Sequence, residues 1–250
     1  MYFNIIASGS KGNATVVVHN KTVILIDMGI AFSRLEEGFK EINLEPKDIT
    51  AAIFTHNHSD HINGLKFIPI KKQYALKGTL PSTGHNILSL FKETKIGDIY
   101  VTPIKSSHDA INPCGYVLKT DEDKLVYLTD TGVFEEENVP FVSNPNYIIL
   151  ESNHDIQMLL QTKRTMALKQ RILSDVGHLC NEDSALACLR MIGPKTKQIV
   201  LAHISEEANT PSLALEAYER VFKYFNEPLD KYDLKVASQW ASLKGGNYEN

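Results

Sequence analysis

Apolar and polar positions along this chain follow two rhythms. Short runs of β-branched and aromatic residues, bounded by Gly, Asn, Asp and Ser, predict strands, and apolar residues three and four apart predict helices. Phe3–Ala7, Thr15–Val18 and Thr22–Ile26 are such runs. Ser8-Gly9-Ser10-Lys11-Gly12-Asn13 and His19-Asn20-Lys21 separate them, which predicts an opening antiparallel meander. Ser33 and Glu36 have capping-box spacing at a helix carrying Phe32, Leu35, Phe39 and Ile42. Ala51 to Thr55 reads as a short buried strand. A second helix is predicted from near His61 through Ile62, Leu65 and Ile68 to Pro69, and a third over 85–94. Asp98–Ile104, Gly115–Lys119, Lys124–Thr129 and Tyr147–Leu150 read as strands. Asn181 is predicted to cap a helix running to Ile192 and stopped by Gly193-Pro194. Gln198–Ala202 is a strand, Thr210-Pro211 opens a helix with Leu213, Leu215, Tyr218, Val221 and Phe222, and Leu234–Ala237 is a last edge strand. No repeat or linker interrupts this order. The pattern predicts a mixed α/β fold of two sheets, each with helices on its outer face, in one domain over 1–250. Periodicity leaves the order of strands within each sheet open.

Composition adds bounds. An apolar content of 43% and a charged content of 22% are those of a globular protein. A net charge of −4 gives no global attraction to nucleic acid or acidic membranes, although a local basic patch remains compatible with it. No apolar run approaches the ~18 residues of a membrane span, and Met1 to Ile6 reads as a strand rather than a signal peptide. Cys114, Cys180 and Cys188 are odd in number and lack a C-x-x-C pattern, so a reducing cytoplasm is expected, with the three as small buried hydrophobes.

The densest chemistry lies in Thr55-His56-Asn57-His58-Ser59-Asp60-His61. Neither a core nor a solvated loop calls for repeated imidazoles, whereas a borderline divalent cation does. In an extended segment His56 and His58 share a face, and Asp60 and His61, past the turn, face a second ion. His108, Asp130 and His203 each follow a predicted strand, where active-site loops gather.

This ordered series resembles the metal-binding motifs of the metallo-β-lactamase fold. Asp27, in Leu25-Ile26-Asp27-Met28-Gly29, matches that superfamily's first motif, whose aspartate supports the metal site from behind. Ser8 to Asn13, Glu151-Ser152-Asn153-His154-Asp155, Ile172 to Leu179 and His203-Ile204-Ser205-Glu206-Glu207 resemble a group of small bacterial hydrolases of the YycJ/WalJ type, described as DNA exonuclease-like. The resemblance implies an αββα sandwich without an inserted cap domain. It implies two divalent ions, zinc or manganese, with iron also accepted by such ligands. One would take His56, His58 and His108, the other Asp60, His61 and His203, with Asp130 bridging. Two metals roughly 3.5–4 Å apart suit displacement at phosphorus.

His178, ahead of the helix start at Asn181, is the expected leaving-group acid, beside Asp60 as a catalytic residue. His154 is read either as holding a ligand's tautomer or as a turn residue. Lys163 to Arg171 carries four cations and no acid, and Lys169 and Arg171 are expected to meet phosphate. Ser10 and Asn13 either lend polar groups to phosphate or make a turn. The predicted activity is phosphodiester hydrolysis, exonuclease-like, with nucleic acid as substrate. Hydrolysis of a small cyclic phosphodiester or of a thioester or lactam is the alternative, and a non-catalytic binding module a further one. His rather than Glu at position 58 argues against a flavodiiron-type reductase.

Overall fold

A computed structural model describes residues 1–81 and 83–248. Among them, fourteen strands form two seven-stranded sheets. The first sheet takes β1 (Tyr2–Ala7), β2 (Ala14–His19), β3 (Thr22–Ile26), β4 (Ala51–Ile53), β5 (Gln73–Leu76) and β6 (Asn86–Leu88). The second takes β7 (Thr94–Ile96), β8 (Ile99–Lys105), β9 (Cys114–Lys119), β10 (Lys124–Leu128), β11 (Tyr147–Glu151), β12 (Gln198–Ala202) and β13 (Asp233–Val236). The chain then returns, and β14 (Leu243–Gly246) pairs antiparallel with β1. Spatial order is β14-β1-β2-β3-β4-β5-β6 and β13-β12-β11-β10-β9-β8-β7. Pairing is antiparallel in the opening meander, parallel from β3 to β6, and parallel again from β10 to β13.

Strand residues alternate between two buried faces, which is why the strands read as continuous apolar runs. Ile24 and Ile26 of β3 point between the sheets with Phe3, Ile5, Tyr116, Tyr127, Ile149 and Val200. Val23 and Leu25 point outward, against Leu35 and Phe39 of the Phe32–Lys40 helix. On the far side Val126, Leu128, Ile148 and Leu201 pack on the Asn181–Met191 and Pro211–Tyr224 helices. The predicted αββα sandwich is the observed architecture.

Four local expectations are corrected. No helix forms over 85–94. Asn86 Nδ2 instead donates to the carbonyls of Lys71 and Gln73 at 2.9 and 3.1 Å, fastening β6 to the edge of β5. The helix predicted from His61 to Ile68 breaks into a turn at Ser59–Ile62 and a 3-10 turn at Leu65–Phe67. Gly64 is the reason: its N–H donates to the Met28 carbonyl at 2.7 Å, and a Cβ there would meet the Met28 side chain at 2.4 Å. Ser33 lies inside the first helix, which starts after Ala31 without a side-chain cap. Cys180, not Asn181, caps the Asn181–Met191 helix, its sulfur accepting from the Asp183 N–H, while the Asn181 side chain turns inward to Ser152 and Asn209. The strand β14 went unforeseen, since Leu243-Lys244-Gly245-Gly246 has no alternation to read.

Candidate metal centre

The strand ends place the site. Asp27 follows β3, His56 lies just past β4, His108 past β8 and Asp130 past β10, Glu151 ends β11, and His203 follows β12. Asp27, Asp130 and His203 all have left-handed backbones, with φ of 59°, 58° and 54°. Such a conformation costs a non-glycine residue about 1–3 kcal/mol and persists where the surroundings impose it. Here it turns three side chains singled out in the sequence off their strands.

Among the described residues, four sets of donor atoms lie within 4.8 Å of one another: His56, His58 and His108; Asp60, His61 and His203; His56, His61 and Asp130; and Asp130, Glu151, His178 and His203. The first two are the two triads expected from the sequence, and Asp130 belongs to sets that reach both. Its Oδ2 is 3.3 Å from His61 Nε2, and its Oδ1 is 3.5 Å from His203 Nε2 and 3.9 Å from His108 Nε2.

Each inner imidazole is held from behind. Asp27 Oδ2 sits 2.8 Å from His61 Nδ1, and that carboxylate also accepts from the N–H and hydroxyl of Thr55, both at 2.8 Å. His108 Nδ1 lies 2.9 Å from the Gly177 carbonyl, which only accepts, so Nδ1 carries the proton and Nε2 faces the cluster as a lone pair. His203 Nδ1 meets Glu151 Oε1 at 3.0 Å.

The electrostatics divide the histidines. Burial pushes His56 well below the usual imidazole range and also lowers His108, keeping both neutral and able to ligate. Burial would raise Asp130, but His203 and His61 outweigh it and hold the carboxyl well below its ordinary value. His61 and His203 go the other way: burial disfavours their charge, and Asp27 and Asp130 for the one, Asp130 and Glu151 for the other, more than restore it, raising His203 to about 9. Asp130 Oδ2 and His203 Nε2 are buried without any hydrogen-bond partner. Buried polar atoms left so cost free energy, and a divalent ion between them satisfies both. The donor set therefore fits bound divalent metal.

Other predicted residues divide. His178 lies beside the cluster, its Nδ1 2.8 Å from Glu151 Oε1. Ser10 lines a cavity of about 330 Å³ with His178, Asn153, Arg164, Arg171 and Ser205. Asn13 is fully buried, so it does not meet substrate; its Nδ2 lies 3.0 Å from His61 Nε2 and its N–H donates to the Asp60 carbonyl at 2.8 Å. Lys169 is also buried, and its Nζ donates to the Leu160 carbonyl at 2.5 Å, which removes it from phosphate binding. Arg171 is engaged by Asp109 through two hydrogen bonds, although it lines the cavity. His154 holds no ligand in place: both its ring nitrogens are buried without partners. The helix start beyond His178 carries Glu182 and Asp183 in its first turn, so its dipole is answered by the chain's own acids and disfavours phosphate there.

Glu151 is a residue of the cluster that the spacing of the motifs did not single out. It is fully buried and joins His178 to His203, while its Oε2 accepts from Thr131 N–H at 3.0 Å and Leu179 N–H at 3.1 Å. Burial alone would raise its pKa; the His178 charge and the imidazole hydrogen bonds more than reverse this and hold it at about 2. The available signal was an acid closing the apolar run Tyr147-Ile148-Ile149-Leu150.

The family model described as beta-lactamase superfamily domain matches residues 22–204. An exodeoxyribonuclease WalJ of Streptococcus pneumoniae is 37% identical over 227 residues, covering 85% of this chain and 84% of that protein. An exodeoxyribonuclease YycJ of Bacillus anthracis is 36% identical over 236 residues, covering 89% of each. Among solved structures, the metallo-β-lactamase fold protein YhfI of Bacillus subtilis superposes with a TM-score of 0.72 at 15% identity, over 98% of this chain and 99% of that one, a likeness of fold.

Proposed function

The chain belongs to the beta-lactamase superfamily, and from that premise we propose that it is a metal-dependent phosphodiesterase that degrades DNA from an end. The observation that carries the reading is Asp130, one buried carboxylate within reach of both donor triads. Relatives at 36 and 37% identity named as exodeoxyribonucleases support DNA as the substrate. His56, His58 and His108 would hold one ion, Asp60, His61 and His203 the other, and Asp130 both. Zinc or manganese, or iron, would there acidify a water and neutralise charge on the phosphate.

The chain's own residues do the rest. Asp27, Gly177 and Glu151 fix the rings of His61, His108 and His203, so the donor atoms need no rearrangement when substrate arrives. His178 is a half-buried imidazole whose Nδ1 is fixed on Glu151, which leaves Nε2 to protonate the departing oxygen. Ser10 and Arg164, the latter paired with Glu207, line the same cavity as His178 and would meet the phosphate oxygens.

The test is hydrolysis of 5′-phosphorylated duplex DNA by the manganese-loaded protein, with Asp130→Ala as control and bis-p-nitrophenyl phosphate in parallel. Shortening of the DNA that depends on metal and is lost in Asp130→Ala is the expected result. Cleavage of the small diester alone would replace DNA by a small phosphodiester as substrate.

A further inference from the structure

Trp240 is the one tryptophan of the sequence, and it is 63% exposed in the turn after β13. A single exposed apolar side chain is ordinary in any protein. This ring differs in being held. Its Nε1 donates to Glu206 Oε1 at 2.7 Å, and its backbone N–H donates to Ser238 Oγ at 3.0 Å. Two cations lie against it, Lys11 Nζ at 5.0 Å and Arg34 Cζ at 5.5 Å from the ring centroid. Arg34 is itself fixed by the carbonyls of Ile6 and Gln239, and Lys11 pairs with Glu206 at 2.7 Å. At its observed exposure the ring still offers surface to a planar partner.

The ring is built onto the metal centre through the loop of residues 8–13. Gln239, the residue before Trp240, accepts from the Lys11 N–H at 2.9 Å and donates to the Gly12 carbonyl at 3.0 Å. Gly9 has a φ of 147°, and a Cβ there would stand 2.6 Å from Gln239 Oε1, so only glycine lets the two segments close. In the same loop Ser8 Oγ accepts from the His203 N–H at 2.8 Å, Ser10 lines the cavity containing His178, and Asn13 reaches His61. Glu206, which orients the indole, follows His203 by three residues. Lys11 and Glu206, which contact the ring, are the chain neighbours of Ser10 and Glu207, which line the cavity with His178.

We propose that Trp240, flanked by Lys11 and Arg34, is a stacking platform for an unpaired base of the DNA strand whose neighbouring phosphate is at the metal centre. This deepens the nuclease reading and rests on it. Every nucleobase presents a π face, so an indole binds a strand without regard to sequence. Because the ring is already positioned, stacking costs little further ordering.

The sole tryptophan makes its own probe. The holoprotein is titrated with a 5′-phosphorylated, phosphorothioate-linked thymidine oligomer and with an abasic oligomer of equal length and charge. In parallel, Trp240→Ala and Trp240→Phe are assayed on DNA with a single-stranded end and on bis-p-nitrophenyl phosphate. The platform predicts saturable quenching of Trp240 emission by the base-bearing oligomer and none by the abasic one. It predicts a KM for DNA raised about tenfold in Trp240→Ala, largely restored in Trp240→Phe, with diester turnover unchanged in both.

Equal quenching by the abasic oligomer would overturn it, as would an unchanged KM in Trp240→Ala or loss of diester turnover in that variant. If the wild-type protein cleaves the diester but no DNA, the nuclease reading fails. The fluorescence comparison then decides separately: base-dependent quenching keeps the platform, and its absence removes that too.

Discussion

Glu151 gathers two backbone N–H groups and two imidazoles onto one buried carboxylate, from Thr131, Leu179, His178 and His203. It therefore serves a proposed ligand and the proposed acid together, and the two roles separate by substitution. His178→Ala removes the acid alone. It is expected to lower turnover of DNA by about 10²–10⁴-fold, and turnover of bis-p-nitrophenyl phosphate far less, because p-nitrophenolate leaves without a proton. Glu151→Gln is expected to lower both activities and also to weaken metal retention by about 10–100-fold, measured by competition with a chelator. Equal losses on both substrates in His178→Ala, or undiminished metal affinity in Glu151→Gln, would contradict these assignments. At this scale the sequence was most legible where residues of one chemistry crowd together, as in His56 to His61. It was least legible where a role depends on a partner far along the chain. Lys169 and Arg171 looked free in a run of cations, yet Leu160 and Asp109 hold them.

Two elements meet at the back of the cluster with almost no tolerance. The loop after β3 packs on the turn bearing Asp60 and His61: Met28 N–H donates to the His61 carbonyl, and Gly29 N–H to that of Asn13, at 2.8 and 2.9 Å. A Cβ on Gly29 would fall 1.6 Å from the Asp60 carbonyl oxygen, so the two backbones touch only because this residue is glycine. Gly29→Ala must push the turn away, with a cost on the order of 1–3 kcal/mol and displacement of Asp60 and His61. The expected outcome is a lowered Tm together with reduced metal content. A variant with wild-type Tm and full metal content would show that this contact does not seat the site. The strands that end at the site were legible, since apolar runs buried on both faces leave little ambiguity. The failures lie at the edges: β6 and β14 are short, and sheet pairing rather than local pattern decides their state.

For the molecule as a whole, His154 links the buried interior to acid stability. Burial pushes its pKa down to about 4 and His178 lowers it too, while Glu151, Asp183 and Asp155 pull the other way. An unfolded histidine titrates near 6.5. Between those values the unfolded chain takes a proton that the folded one refuses, so stability falls as pH drops from about 6.5 to about 4, by on the order of 3 kcal/mol. Above that window the group contributes no pH dependence. His154→Leu should flatten this part of the urea-denaturation profile relative to wild type at matched metal loading; parallel profiles would contradict the assignment. The sandwich and the ordered ligand series were legible over nearly the whole sequence. The Trp240 rim was not, because Glu206, Lys11 and Arg34 meet the indole only in the fold, where the segment from β13 to β14 joins the edges of the two sheets.

The most direct test of the central claim, that Asp130 joins two ion sites into one catalytic centre, is a titration of metal-free protein with manganese, following bound metal and phosphodiesterase activity together. The account predicts two ions per chain, activity that rises only as the second binds, and loss of that activity step in Asp130→Ala. Full activity with one ion per chain, or an Asp130→Ala variant that keeps both ions and wild-type turnover, would contradict it.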